Sequence, residues 1–206
     1  MRYSAMASLS LLAFLAACAP PQQGGAPSAT TGQGGSARQM TREPTSGTIA
    51  RLPADAAGFM RSGQVKDYEA QRPGFGQGVE YTTPGREAVA TVDIYDRGMA
   101  SIPNQEQLVR SELDEAVREL SSLQHSRTGR SLDEQQRTTI PIEGADPLQC
   151  AVLSGRYGRV PVSLDICVGM AAGRFIKIQV TMPDRTPAMA DARAFAHSVA
   201  TAAQRR

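Results

Sequence analysis

Two cysteines set symmetrically about a glycine turn constrain this chain more than any other feature of its sequence. Gly158-Arg159 places glycine first, as a two-residue type II′ hairpin turn requires, so Tyr157 stands opposite Val160. Cys150 lies seven residues before Tyr157 and Cys167 seven residues after Val160, so the register this turn dictates puts the two thiols face to face. An odd number of steps from the hydrogen-bonded closing pair ends on a non-hydrogen-bonded pair, where opposed side chains approach most closely. The same register gathers Leu153, Tyr157, Val160, Val162, Leu164, Ile166 and Val168 on one face. It leaves both cysteines on the other face with Ser154, Arg156, Ser163 and Asp165, and a slip of one residue would mix the two sets. Cys150 and Cys167 therefore read as a structural disulfide, and closing a loop of ~17 residues contributes on the order of 3 kcal/mol.

The flanking segments extend the sheet. Ala171-Ala172-Gly173 has the form of a three-residue hairpin ending in a left-handed glycine. That loop sets Met170 opposite Arg174, Val168 opposite Ile176, Ile166 opposite Ile178, Leu164 opposite Val180 and Lys177 opposite Cys167. Upstream, Val79–Thr82 is followed by the turn Thr83-Pro84-Gly85-Arg86 and by Ala88, Ala90, Val92 and Ile94 alternating with Val89, Thr91, Asp93 and Tyr95, a second hairpin. The glycines of Gly74–Gly78 invite a phosphate-loop reading, but they open a strand where a dinucleotide fingerprint must open a helix.

Asn104 as N-cap, with Gln107 three residues on, begins a helix from about 105 to 124. Leu108, Val109, Leu113, Ala116, Val117, Leu120 and Leu123 fall on its inner face, and Asp114 pairs with Arg118 outside. Arg137–Ile142 reads as a strand whose Pro141 marks a bulge or an edge. Thr186 and Pro187 cap and open a final helix with Ala188, Ala192, Phe195, Val199 and Ala202 as its buried stripe. The expected fold is α+β: an antiparallel β-sheet with two helices packed on one face, after a signal peptide and a disordered linker.

Its amino-terminal part reads differently. After Met1-Arg2-Tyr3, the run Ala5–Ala17 has only Ser8 and Ser10 as polar residues. It falls short of the ~20 residues that span a bilayer, so it reads as a secretory signal over residues 1–17. The run ends in Leu15-Ala16-Ala17-Cys18, which resembles the lipobox of bacterial lipoproteins. That resemblance implies cleavage before Cys18 and acylation of its thiol and new amino group, two or three chains giving durable attachment to membrane lipid. Ala19 lacks the aspartate that signals inner-membrane retention in enterobacterial lipoproteins, so the expected location is the periplasmic face of the outer membrane, with the inner membrane as the alternative. Residues 18–52, rich in Pro, Gln, Gly, Ser and Thr, read as a tether with a reach of roughly 30 Å. Residues 53–206 form the single expected domain.

Composition excludes some functions. Of 22 basic residues only Lys66 and Lys177 are lysines, and with Arg2 removed the balance against 20 acidic residues is near neutral, so there is no electrostatic footprint for nucleic acid. No catalytic set, cofactor motif or metal-ligand spacing is apparent: His125 and His197 read as solvated or C-capping, and Glu112, Asp114, Glu115 and Glu119 as the solvent face of a helix. A redox reading of the cysteines, with Lys177 lowering a thiol pKa, lacks the C-x-x-C spacing. Tyr95, Arg156, Asp165, Phe175 and Lys177 are the candidate binding surface, provided they share the polar face of the sheet.

The order of elements resembles the PsbP-like and DcrB-like α+β domains over about residues 59–203, several of which are exported lipoproteins. The expectation is a non-catalytic, periplasm-facing envelope lipoprotein binding a protein partner or a small ligand. A periplasmic hydrolase with a site formed only in three dimensions is the alternative.

Overall fold

A computed structural model describes residues 42–103, 106–122 and 129–205. Cys18, His125, Leu123 and the Asn104 cap lie outside the described residues. Helix α1 (Thr45–Arg51) is followed by strands β1 (Asp55–Ala56), β2 (Phe59–Asp67), β3 (Gln77–Thr82) and β4 (Val89–Tyr95), with a 3₁₀ turn at Pro84–Arg86. Then come α2 (Glu106–Ser122), β5 (Ser131–Ile142), β6 (Ala145–Tyr157), β7 (Val160–Ala171), β8 (Arg174–Pro183) and α3 (Ala192–Gln204). All eight strands join one antiparallel sheet in the order β1-β2-β3-β4-β8-β7-β6-β5. Strands β4 and β8, far apart in the chain, are thus neighbours at the centre of the sheet, joining the β1–β4 half to the β5–β8 half.

The β6–β7 hairpin has the register its turn specifies. Tyr157 is opposite Val160, Gly158 takes φ 61°, and Cys150 is opposite Cys167 in a disulfide with a Cα–Cα distance of 4.1 Å. That separation is nearer the ~4.5 Å of a non-hydrogen-bonded pair than the ~5.5 Å of a bonded one. The β3–β4 hairpin also matches: Ala88, Ala90, Val92 and Ile94 are fully buried, and Val89 is exposed. Pro141 sits on the edge strand β5, where the register shifts between Ile140 and Ile142.

The next hairpin departs from expectation by one residue. Ala171 faces Arg174, leaving the two-residue turn Ala172-Gly173 with φ 49° and 75°. Positive φ at both positions is the type I′ requirement. Ile176, Ile178 and Val180 consequently share the face of Cys167 and Asp165, while Leu164, Ile166 and Val168 lie opposite Thr181, Gln179 and Lys177.

That shift overturns the expected layering of two helices on one face. The sheet is covered on both. Helix α2 packs Val109, Leu113, Ala116, Val117 and Leu120 against Leu153, Val162, Leu164, Ile166, Val168, Tyr95 and Phe175. Helix α3 packs Phe195, Ala196, Val199, Ala200 and Ala203 against the other face, over Ala90, Val92, Ile94, Ile176, Ile178, Val180 and both cysteines. Adjacent residues of a strand point to opposite faces, so Ile166 under α2 and Cys167 under α3 fix the two helices on opposite sides. Phe195 packs tilted against Phe59 at 4.8 Å and edge-on against Tyr81 at 5.1 Å between ring centres.

Three further expectations change. The folded unit begins before Pro53, because Ile49 of α1 and Leu52 just after it are buried in the α3 core and Arg42 bonds to Asp96 (2.7 Å) and to the carbonyls of Met99 and Ala100. The last helix starts at Ala192, not Pro187: Asp191 is its N-cap and accepts the Ala194 N–H at 2.9 Å, one of the four donors a helix start leaves free. Asp114 bonds to Arg137 across to β5. The expected partner was Arg118.

Candidate functional site

The register divides the five residues of the expected binding surface. Tyr95, Phe175 and Lys177 belong to the α2 face, and Arg156 and Asp165 to the α3 face with the cysteines. Phe175 is fully buried in the α2 core, and Arg156 is exposed near the hairpin tip. Lys177 stands opposite Val168, not Cys167, so it lies on the far side of the sheet from the disulfide and cannot act on those thiols.

On the α2 face the polar groups satisfy one another. Asp93 and Lys177 are directly opposed and 3.6 Å apart, and the ammonium is 5.5 Å from the centre of the Tyr95 ring. Burial raises the Asp93 carboxyl above its ordinary pKa, with Lys177 pulling it back down. Gly78 makes room for this group, since a Cβ there would lie 2.4 Å from Asp93 Oδ1 and 3.0 Å from the Tyr68 ring. Beside it Tyr95 donates its hydroxyl to Glu112 (2.7 Å), which also accepts from Arg97 Nη2 (2.6 Å) and Nε (3.1 Å). Glu112 is 8 % exposed and belongs to the inner face of α2, so it is not one of the solvated carboxylates the helical periodicity made it. Burial pushes the Tyr95 phenol far up, with Glu112 adding to it. This is an internal network that ties α2 to β4.

The glycine loop before β3 is also self-satisfied. Glu69 accepts the N–H groups of Gly74 (3.0 Å) and Gly76 (2.9 Å), which hold its carboxyl below the usual range. The backbone donors that could cradle a phosphate are filled by the chain's own carboxylate.

The α3 face offers a concavity. Between α3 and strands β5–β7 lies a cavity of about 260 Å³ whose apolar lining is Ile140, Val152, Val180, Ala192, Ala196 and the disulfide. Gln136, Thr138, Asp165 and Arg193 supply its polar atoms. A more open depression of about 620 Å³ continues along β8 and the segment before α3, sharing Asp165, Ala192 and Arg193 with the first. Sheet and helix position these groups for separate reasons. Asp165 points to this side because it alternates with Leu164 and Ile166, which the α2 core buries. Arg193 follows the Asp191 cap in the first turn of α3 and donates to Thr138 Oγ1 (3.2 Å) and to the Thr139 carbonyl (2.9 Å), closing one end of the cavity. Burial raises the Asp165 carboxyl above its ordinary pKa; Arg193 pulls it down and Asp191 pushes it further up.

Of the sequence candidates, this groove holds Asp165 and the two cysteines. Arg193, Thr138 and Gln136 were not foreseen, because their convergence depends on α3 covering the cysteine face. The residue chemistry suits binding: an apolar floor with a few convergent polar groups is the usual make-up of a small-molecule pocket. Among the described residues no cluster of three or more His, Cys, Asp or Glu side chains is arranged to hold a metal, and no helix is long and apolar enough to cross a membrane.

No protein-family profile matches the chain, and no curated protein matches it. Among solved structures it is similar to a mutant of the protein Mog1, with 11% sequence identity over 71% of this chain and 86% of that one and a TM-score of 0.36. A likeness that loose carries no argument about function.

Proposed function

We propose that this chain is a non-catalytic envelope lipoprotein, held by acylated Cys18 at the periplasmic face of the outer membrane, whose folded domain binds a small ligand in the groove between α3 and β5–β7. The observation that carries the binding part is the groove itself, an apolar floor over the Cys150–Cys167 bridge with Asp165 and Arg193 at its rim. The lipobox residues Leu15-Ala16-Ala17-Cys18 carry the anchoring part. A disulfide in the sheet fits an oxidising compartment, where such bonds persist.

Two measurements test the reading. Metabolic labelling with palmitate should mark the wild-type chain and leave Cys18→Ser unlabelled; equal labelling would end the anchoring proposal. Native mass spectrometry of the full chain, purified from its own envelope, should show a small-molecule adduct. Thr138→Trp, which places a bulky ring from the edge strand into the groove mouth, should lose it. An adduct retained at full occupancy by Thr138→Trp would move the binding site elsewhere.

A further inference from the structure

We infer that the groove selects small organic cations, a protonated amine on a short apolar chain, with Asp165 as the charge-recognising residue; this rests on the groove being the ligand site. Of the charged groups that line it, all but one are committed elsewhere or lie at its outer end. Arg185 forms an ion pair with Glu87 at 3.0 Å. Arg193 commits both terminal nitrogens to Thr138 and Thr139. Asp191 accepts the Ala194 N–H as the helix cap. Asp184 is exposed at the outer end of the open depression.

Asp165 differs from all of these. It is part-buried at the wall common to both cavities, and among the described residues no hydrogen bond or ion pair reaches its carboxylate. A carboxylate partly withdrawn from water with no direct partner is costly, and an ammonium placed on it would form a charge-assisted hydrogen bond where the interior strengthens such contacts. Burial pushes its pKa up, with Arg193 pulling it back down and Asp191 adding to the rise. An anionic ligand would meet Asp165, Asp191 and Asp184 together, and could draw only on arginines that already have partners.

The floor sets the rest of the molecule. The side chains of Ile140, Val152, Val180, Ala192 and Ala196 offer no hydrogen-bond partner, so the part of the ligand that lies on them is apolar. A volume of about 260 Å³ is at or below the ~300–1,000 Å³ usual for ligand pockets, so the chain is short.

The test is a titration of the full chain, disulfide intact, with three probes of one shape: butylammonium, butanol and butyrate, followed by isothermal calorimetry and amide chemical shifts. Butylammonium should bind at least tenfold more tightly than butanol and shift the amides of Asp165, Ala192 and Arg193. Asp165→Asn should reduce it to the level of butanol, and Arg193→Gln should tighten it several-fold by removing the nearest competing cation. A single cooperative urea transition and wild-type amide dispersion away from the groove would show that both variants fold. Equal binding of butanol and butylammonium would overturn the charge selection and leave the groove standing as a site. Preference for butyrate would reverse the assignment in favour of Arg193, and failure of all three to bind would remove the groove reading along with this inference.

Discussion

Glu112→Ala should cost far more stability than any neighbouring carboxylate on α2. The wild-type side chain is 8 % exposed and accepts from the Tyr95 hydroxyl at 2.7 Å and from Arg97 at 2.6 and 3.1 Å. A hydrogen bond to a charged group contributes ~1.5–3 kcal/mol, and stranding a buried hydroxyl costs ~1–3 kcal/mol. Arg97 is a third exposed and can turn to Glu115 at 3.3 Å, so its share is discounted for solvent. The sum is about 3 kcal/mol, which for a domain of this size lowers Tm by roughly 6–12 °C. Glu115→Ala removes a 54 % exposed partner and should cost under about 0.5 kcal/mol. Tyr95→Phe takes away the donor instead of the acceptor, and its double-mutant cycle with Glu112→Ala should show a coupling of about 1 kcal/mol. Urea titration of the oxidised full chain at neutral pH gives all of these as shifts in midpoint. If Glu112→Ala and Glu115→Ala fell within 0.5 kcal/mol of each other, a buried network joining α2 to β4 would be refuted.

Replacing both cysteines by serine should lower stability by about 3 kcal/mol, seen as a urea midpoint that reductant no longer changes, while wild type moves to meet it on reduction. Asp165→Asn should stabilise the fold at pH 7. A carboxyl whose folded pKa is raised above its unfolded value binds its proton more tightly when folded, so wild-type stability falls as pH rises through that window, and the variant's advantage should vanish below the ordinary carboxylate range. Gly155→Ala should cost about 2–3 kcal/mol, because its Cβ would lie 1.8 Å from the Ser131 carbonyl oxygen and force β5 from β6. A thermal melt within 2 °C of wild type would contradict that geometry.

Where two independent signals agreed, the sequence was legible to the residue. The Gly158-Arg159 turn and the spacing of the cysteines each specify the β6–β7 register, and the alternation through Ala88–Tyr95 specifies a face. It was illegible where the deciding residue adopts a conformation its type disfavours. Ala172 has φ 49°, which a side chain with a Cβ rarely takes, so the adjoining hairpin reads more naturally with a three-residue loop. That single residue moves Ile176, Ile178 and Val180 to the cysteine face and gives α3 an apolar platform there. The two-sided covering of the sheet, and hence the groove, follows from it. Glu112 was hidden for a different reason: helical periodicity marks which positions turn inward by their apolar neighbours, and a carboxylate next to Leu113 carries no mark of its own. Asp165 was assigned to the correct face, but a strand pattern cannot say that a helix will roof that face.

The groove also leaves a sign in the stability of the fold. Helix α3 meets the sheet at this end with alanines, Ala192 and Ala196, above Val152, Val180 and the disulfide, and the space they leave is unfilled by protein. A helix whose only task was to close the core would gain from a longer side chain there, since filling a cavity commonly adds ~0.5–2 kcal/mol. Ala196 is 2 % exposed and lines the cavity, so the longer side chain of Ala196→Met has that space to extend into. The variant should unfold at higher urea by about 1 kcal/mol and lose butylammonium binding. Gain and loss together would mean that the void is kept at the expense of stability because it is occupied in use. A variant less stable than wild type would instead mean that the alanines are there for close helix–sheet packing, and the space beside them an accident of it.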